Sequence, residues 1–170
     1  RHLDAMIRRV AAQCPQALAV EDAHRSLTYA QLDQLADRLA HALAHHGIAQ
    51  GDRVALFLGN GAEFIVLLAA LWRMGAVAVP IGTRQSADEL AYMVHHCGAR
   101  ALVHDAELAA RLPPAAQIPS VVCRVRVGEP SDAPSGTEAE AAGIDFWQLV
   151  GQGGQQPWHA EVDGQHAACL

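Results

Sequence analysis

The stretch from 53 to 104 constrains the fold more than any other part of the chain. A β-run at 53–58 leads to a helical run at 62–74 ended by Gly75. A second β-run at 76–81 follows, then a helix opened by Ser86 and stopped by Gly98, then a third β-run at 101–104. The β-runs are continuously apolar instead of alternating, so each is expected to be buried on both faces, as in a parallel sheet covered by helices on both sides. Parallel neighbours need crossover connections, and these are right-handed. The expected fold class is α/β, a mostly parallel sheet with crossover helices.

The residues before this core read as an α-helix and a hairpin. Leu3, Met6, Ile7 and Val10 have helical spacing and Pro15 closes the run; a strand at 17–21, a polar turn at 22–25 and Ser26-Leu27 then form a hairpin. Thr28 with Gln31 makes a capping box, flanked by Leu27 and Leu32 at staple positions. Leu32, Leu35, Leu39 and Leu43 make one apolar stripe, and Gly47 suits a left-handed terminating residue. Ser86 with Glu89 is a second capping box. After the third β-run, a helix at 106–112 and a strand at 120–127 continue the sheet. Residues 144–150 form a short patch, either helical or extended. The segments 128–143 and 151–164 are expected to be mobile loops: the first has no large apolar residue and the second has one notable apolar residue, Trp158.

Composition narrows the function classes. The chain has 170 residues, enough for a globular core, although 34 alanines stand against 38 Leu, Val and Ile. Twelve basic and 18 acidic residues, a net charge of -6, argue against a surface that neutralises nucleic-acid phosphates. All 12 basic residues are arginine, so no lysine can form a Schiff base or serve a phosphate loop. Cys14, Cys97, Cys123 and Cys169 are scattered, with no CxxC pair, which points to a reduced, cytoplasmic protein. The apolar stretch 64–82 is interrupted by Arg73, Gly75 and Pro80, so it reads as a buried helix and strand and not as a membrane span.

Gly59-Asn60-Gly61 lies between a strand and a helix, as a pyrophosphate-binding turn does. Yet Phe64 takes the place of the third glycine, and Val79-Pro80-Ile81 stands where an acid should hold a ribose, so an ordinary tight turn is expected. His41 and His45 share a helical face without a carboxylate or cysteine beside them, and His45-His46 and His95-His96 diverge on their helices, so no metal site is expected. No HExxH or GxSxG motif occurs, and Asp88-Glu89 is an acidic first helical turn.

Six pieces taken together resemble a known family. In order they are Leu27-Thr28-Tyr29-Ala30-Gln31-Leu32, the helix that follows it, Gly51-Asp52-Arg53-Val54-Ala55, Leu58-Gly59-Asn60, Gly75-Ala76-Val77-Ala78-Val79-Pro80, and Glu89-Leu90. Their order and spacing over 3–104 are similar to the opening of the adenylate-forming (AMP-dependent) synthetases. Within that superfamily the run through Arg84 is more similar to acyl-CoA and aryl-CoA ligases than to the adenylation domains of peptide synthetases.

The resemblance implies an ATP-dependent, two-step reaction: a carboxylate and ATP give an acyl adenylate, and a thiol, usually that of CoA, takes the acyl group. It implies ATP, Mg and CoA for the parent enzyme, a carboxylic acid substrate, and the remainder of the same synthetase as partner. None of the three cofactors is expected to bind this fragment tightly. In the family, the lysine-bearing phosphate loop, the adenine and ribose contacts and the catalytic lysine lie downstream of the matched pieces. Ser135-Gly136-Thr137 is followed by Glu138 and Glu140, and reads as linker. The chain opens on Arg1, and its closing Ala167-Ala168-Cys169-Leu170 resembles the strand that enters the phosphate loop, so residues 1–170 are expected to be a truncated N-terminal region, inactive alone. One family position carries over: Arg84 matches the arginine that can lie beside the CoA nucleotide phosphates, although Gly82-Thr83 departs from the usual Asn-Pro before it. Asn60 matches a common asparagine, expected to cap the following helix. Two alternatives stay open, a self-contained, non-catalytic α/β interaction domain and the N-terminal part of a peptide synthetase adenylation domain.

Overall fold

In the computed structural model, residues 3–128 and 143–159 are described. Helix α1 (Leu3–Gln13) is followed by an antiparallel hairpin of β1 (Leu18–Glu21) and β2 (Ser26–Thr28). Helix α2 (Tyr29–His45) opens with the expected capping box: the Gln31 amide donates to Thr28 Oγ1 at 3.3 Å and the Thr28 amide to Gln31 Oε1 at 2.9 Å. Gly47, with φ at 84°, ends it in the left-handed conformation.

The central sheet contains β3 (Arg53–Phe57), β4 (Val77–Pro80), β5 (Ala101–Asp105), β6 (Cys123–Val127) and β7 (Ile144–Asp145), in the order β4-β3-β5-β6-β7. Every pairing is parallel, so the α/β expectation holds. The chain passes from β3 through α3 (Ala62–Met74) to β4 on one side, and returns through α4 (Ala87–Cys97) to β5 on the other. Pro80 sits on edge strand β4, where its missing N–H costs no ladder bond.

Strand alternation divides the core into two layers. Val54, Leu56, Val103 and Val125 face α2 and α3, with Leu39, Leu43, Leu67 and Leu71 buried between. Ala55, Phe57 and Leu102 face the other way, against Leu90 and Val94 of α4 and Ile118. Each such large side chain contributes about 1.5–3 kcal/mol when fully buried.

Three local differences from the sequence expectation have physical causes. The 106–112 helix is a 3₁₀ helix at Ala106–Arg111, because Leu112 precedes Pro113-Pro114 and the residue before a proline is driven out of helical geometry. The 144–150 patch is both alternatives in turn: β7 pairs with β6, and helix α5 (Phe146–Gln152) starts where the Asp145 carboxylate accepts the Gln148 amide at 2.9 Å. The segment expected as a loop from 151 to 164 opens with the last two residues of α5. As far as His159 it lies along α2, where the Trp158 amide donates to Asp37 Oδ1 at 2.8 Å. Residues 129–142 and 160–164, Ser135-Gly136-Thr137, and Ala167 to Leu170 lie outside the described residues.

A charged cluster joins the helices of the first layer. Arg73, fully buried on α3, donates to Asp4 Oδ1 at 2.7 Å and Asp33 Oδ1 at 2.5 Å, and lies 2.8 Å from Asp37 Oδ1. Burial alone would weaken its hold on its proton, but Asp4, Asp33 and Asp37 outweigh that and raise its pKa. Arg8 bridges Asp4 and Asp37 from α1 and donates to the Trp158 carbonyl at 2.9 Å.

Candidate functional site

In open α/β sheets ligands bind outside the carboxyl ends of the strands, at the point where the strand order reverses. Here that point lies between β3 and β5. The turn after β3, Gly59-Asn60-Gly61, meets the end of β5 directly: the Gly59 amide donates to Asp105 Oδ2 at 2.7 Å. The turn after β4, carrying Arg84, leaves the same end of the sheet because β4 runs parallel to β3.

Neither glycine of the β3 turn is demanded by its surroundings. Their backbones avoid the left-handed region, and an added Cβ would meet its nearest atoms, Asp105 Oδ2 at Gly59 and Asp22 Oδ2 at Gly61, at an ordinary 3.5 Å. The ordinary-turn expectation therefore suits the geometry. Asn60, expected to cap α3, does not. It is exposed, Gly61 is the capping residue, and the Ala62 amide donates instead to Asp22 Oδ2 at 2.7 Å. Asp22, in the hairpin turn, also accepts the His24 and Arg25 amides at 2.8 Å each. These three bonds, Ala62 foremost, hold its pKa below the ordinary aspartate value. Beside it, the Arg25 guanidinium stacks 3.8 Å from the Trp147 ring centre and bonds Glu63 Oε1, which also accepts the Trp147 indole N–H.

Arg84 is exposed at the head of its turn, and its side chain makes no hydrogen bond or ion pair with another described residue. Its backbone, in contrast, is fastened. The Gln85 amide closes the turn onto the Gly82 carbonyl at 3.1 Å. Arg111, at the end of the 3₁₀ helix, donates Nη1 to the Thr83 carbonyl at 2.7 Å and Nη2 to the Gln85 carbonyl. The Arg111 guanidinium also lies 5.8 Å from the centre of the Phe57 ring. Next in the chain, the Ser86 amide and hydroxyl hold the Glu89 carboxyl below the ordinary glutamate value, with a smaller pull from the charge of Arg111.

The histidines and cysteines have other contacts. His41 packs edge-on against Trp158 and its Nε2 is 3.0 Å from the Gln156 carbonyl, while His96 stacks on Tyr92. Burial pushes the Cys123 thiol up to about 11, which suits a core residue and not a nucleophile.

The sequence names Arg84 and the strand-to-helix turn as candidates but gives no sign of Arg111, Asp105 and Asp22. Each acts on a backbone group more than 20 residues away, so no local spacing could have marked it.

The chain matches the family model "AMP-binding enzyme" over residues 7–170. It is 40% identical over 103 residues to the long-chain-fatty-acid–CoA ligase FadD13 of Mycobacterium tuberculosis, and 44% over 108 residues to a salicyl-AMP ligase/salicyl-S-ArCP synthetase from the same species. Those alignments cover 59% and 61% of this chain but only 20% and 19% of the relatives. Among solved structures, apo MbtA of Mycobacterium smegmatis superposes with a TM-score of 0.82 at 32% identity, covering 100% of this chain and 31% of that one. The N-terminal domain of FACL13 from Mycobacterium tuberculosis gives 0.80 at 27%, covering 100% and 41%. The chain thus spans about a fifth of the curated relatives and about a third of the solved chains. Matching that family model over nearly its whole length, the chain belongs to the AMP-binding enzyme family.

Proposed function

We propose that this chain supplies the N-terminal part of a cytoplasmic, ATP-dependent acid–thiol ligase of the acyl-CoA synthetase type, acting in fatty-acid or related carboxylic-acid metabolism. In that reaction a carboxylate oxygen attacks the α-phosphorus of ATP and pyrophosphate leaves; a thiol sulfur then attacks the acyl carbon and AMP leaves. The observation that carries this reading is the family match over 7–170, joined to 40% identity with a CoA ligase. Among the described residues no helix is long and apolar enough to cross a membrane.

The residues present fit one part of this chemistry and not another. Arg84 fits a phosphate group of CoA: it is exposed, unpaired among the described residues, and carries a rigid fork of donors. ATP is different, because the chain contains no lysine and so holds neither of the lysines that the resemblance assigns to the phosphate loop and to catalysis. The 170 residues serve as scaffold and as one wall of the thiol-acceptor side, with Mg–ATP bound by the remainder of the enzyme.

A second acceptor is favoured by a specific observation, the 44% identity to a protein named as a salicyl-AMP ligase/salicyl-S-ArCP synthetase. There the thiol would belong to a carrier protein. The test is a full-length enzyme assayed for acid-dependent ATP–pyrophosphate exchange, then offered free CoA or a phosphopantetheinylated carrier. Exchange with transfer to CoA supports the first reading. Transfer to the carrier alone supports the second, and exchange by the 170-residue chain unaided refutes the division of labour.

A further inference from the structure

We infer that Arg111 is the positioning residue for Arg84, a two-pronged clamp that fixes the turn from which Arg84 would meet the phosphate of the thiol-bearing cosubstrate. The inference rests on the proposed role of Arg84 and adds a residue that no motif marks.

Arg111 reaches the two carbonyls that bracket Arg84, those of Thr83 and Gln85, one with each terminal nitrogen. Within the turn itself only the Gln85-to-Gly82 bond restrains the backbone, and Gly82 adds freedom. The clamp comes from a different element of the chain: Arg111 ends the 3₁₀ helix after β5 and is braced over Phe57 of β3. Arg111 makes no ion pair with a carboxylate among the described residues, and its charge is felt only weakly by Glu89 at the start of the next helix. An exposed arginine loses binding energy if its backbone must be ordered when the ligand arrives. Fastening both flanking carbonyls removes that cost in advance. Lysine cannot replace Arg111, because one ammonium nitrogen cannot span carbonyls on two sides of a turn.

Two readouts test the clamp. In the 170-residue chain, trypsin cleavage of the Arg84–Gln85 bond is followed by mass spectrometry against cleavage after exposed Arg9 as internal reference. Arg111→Gln and Arg111→Lys are each expected to speed the former about tenfold, the effect of freeing roughly one residue of backbone. In the full-length ligase the same variants are expected to raise KM for CoA about tenfold, while KM for ATP and the ATP–pyrophosphate exchange rate stay unchanged. Circular dichroism confirms that each variant is folded, and Arg111→Lys serves if Arg111→Gln is not. Unchanged cleavage at Arg84, or full restoration of both readouts by lysine, overturns the clamp. If Arg84→Gln raises KM for CoA and the Arg111 variants do not, the clamp is overturned while the reading of Arg84 stands. If Arg84→Gln leaves KM for CoA unchanged, the reading of Arg84 falls, and the positioning role with it.

Discussion

The amide of Gly59 donates to Oδ2 of Asp105 at 2.7 Å, and this bond ties the turn after β3 to the carboxyl end of β5. Asp105 caps no amide of the 3₁₀ helix that follows it, so its described side-chain bond is spent on this bridge. Asp105→Ala is therefore expected to cost about 1–2 kcal/mol, the range for a partly exposed hydrogen bond to a charged acceptor. Gly59→Ala is expected to cost less than about 1 kcal/mol, since its Cβ would meet the same oxygen at an ordinary 3.5 Å. Urea midpoints measure both, and an Asp105→Ala midpoint equal to wild type would show that the bridge contributes nothing.

The hairpin is tied to α3 by Asp22, and that tie is expected to fail in acid. Asp22 has a pKa lowered in the fold by the Ala62, His24 and Arg25 amides, so the unfolded chain, with an aspartate near about 3.9, binds more protons in this window. Its contribution is complete above the unfolded value and is lost as pH falls through the lower folded value. The stability difference between wild type and Asp22→Asn, measured by urea denaturation from about pH 6 to pH 2.5, should shrink as pH falls. A difference that stays constant over that range would mean that the carboxylate's charge is not what anchors the turn.

Much of this fold was legible because its signals are local. Thr28 with Gln31 and Ser86 with Glu89 are capping boxes readable at three-residue spacing, and Gly75 and Gly98 both end helices in the left-handed conformation. The apolar β-runs are buried on both faces, which is why a parallel sheet followed from them. The site was less legible. Arg84 is a candidate only through resemblance, whereas Arg111 is a polar residue of a short 3₁₀ turn whose partners lie 26 and 28 residues back. Asn60 misled for a related reason: its local chemistry suits a cap, but a residue 40 positions from Ala62 had already taken the amide.

The Arg73 cluster should be the most sensitive polar site in the molecule. Arg73 is buried among Asp4, Asp33 and Asp37, and Arg8 also bridges two of them. Arg73→Met keeps the volume but leaves three carboxylates close together with one exposed-side arginine, and is expected to cost about 3–5 kcal/mol. Arg8→Met, on the more exposed partner, should cost about 1 kcal/mol. Thermal unfolding of both variants gives the comparison, and an Arg73→Met loss no larger than that of Arg8→Met would contradict a buried network centred on Arg73.

Two glycines, two residues apart, should respond to alanine in opposite directions. Gly151 lies in the last turn of α5 with nothing within 4 Å of an added Cβ, so alanine meets no obstacle and gains helix propensity, about 0.5 kcal/mol near a helix end. Gly153 lies just past that helix, where an added Cβ would run into the backbone carbonyl of Arg38 on α2. Backbone cannot swing aside as a flexible side chain does, so Gly153→Ala must push α5 and α2 apart and is expected to cost about 1–3 kcal/mol. The loss should also release the contact beyond it, where Trp158 lies against His41, and quench or shift Trp158 fluorescence in a Trp72→Phe, Trp147→Phe background. Equal stability of the two alanine variants would mean that α5 does not rest on α2 through Gly153.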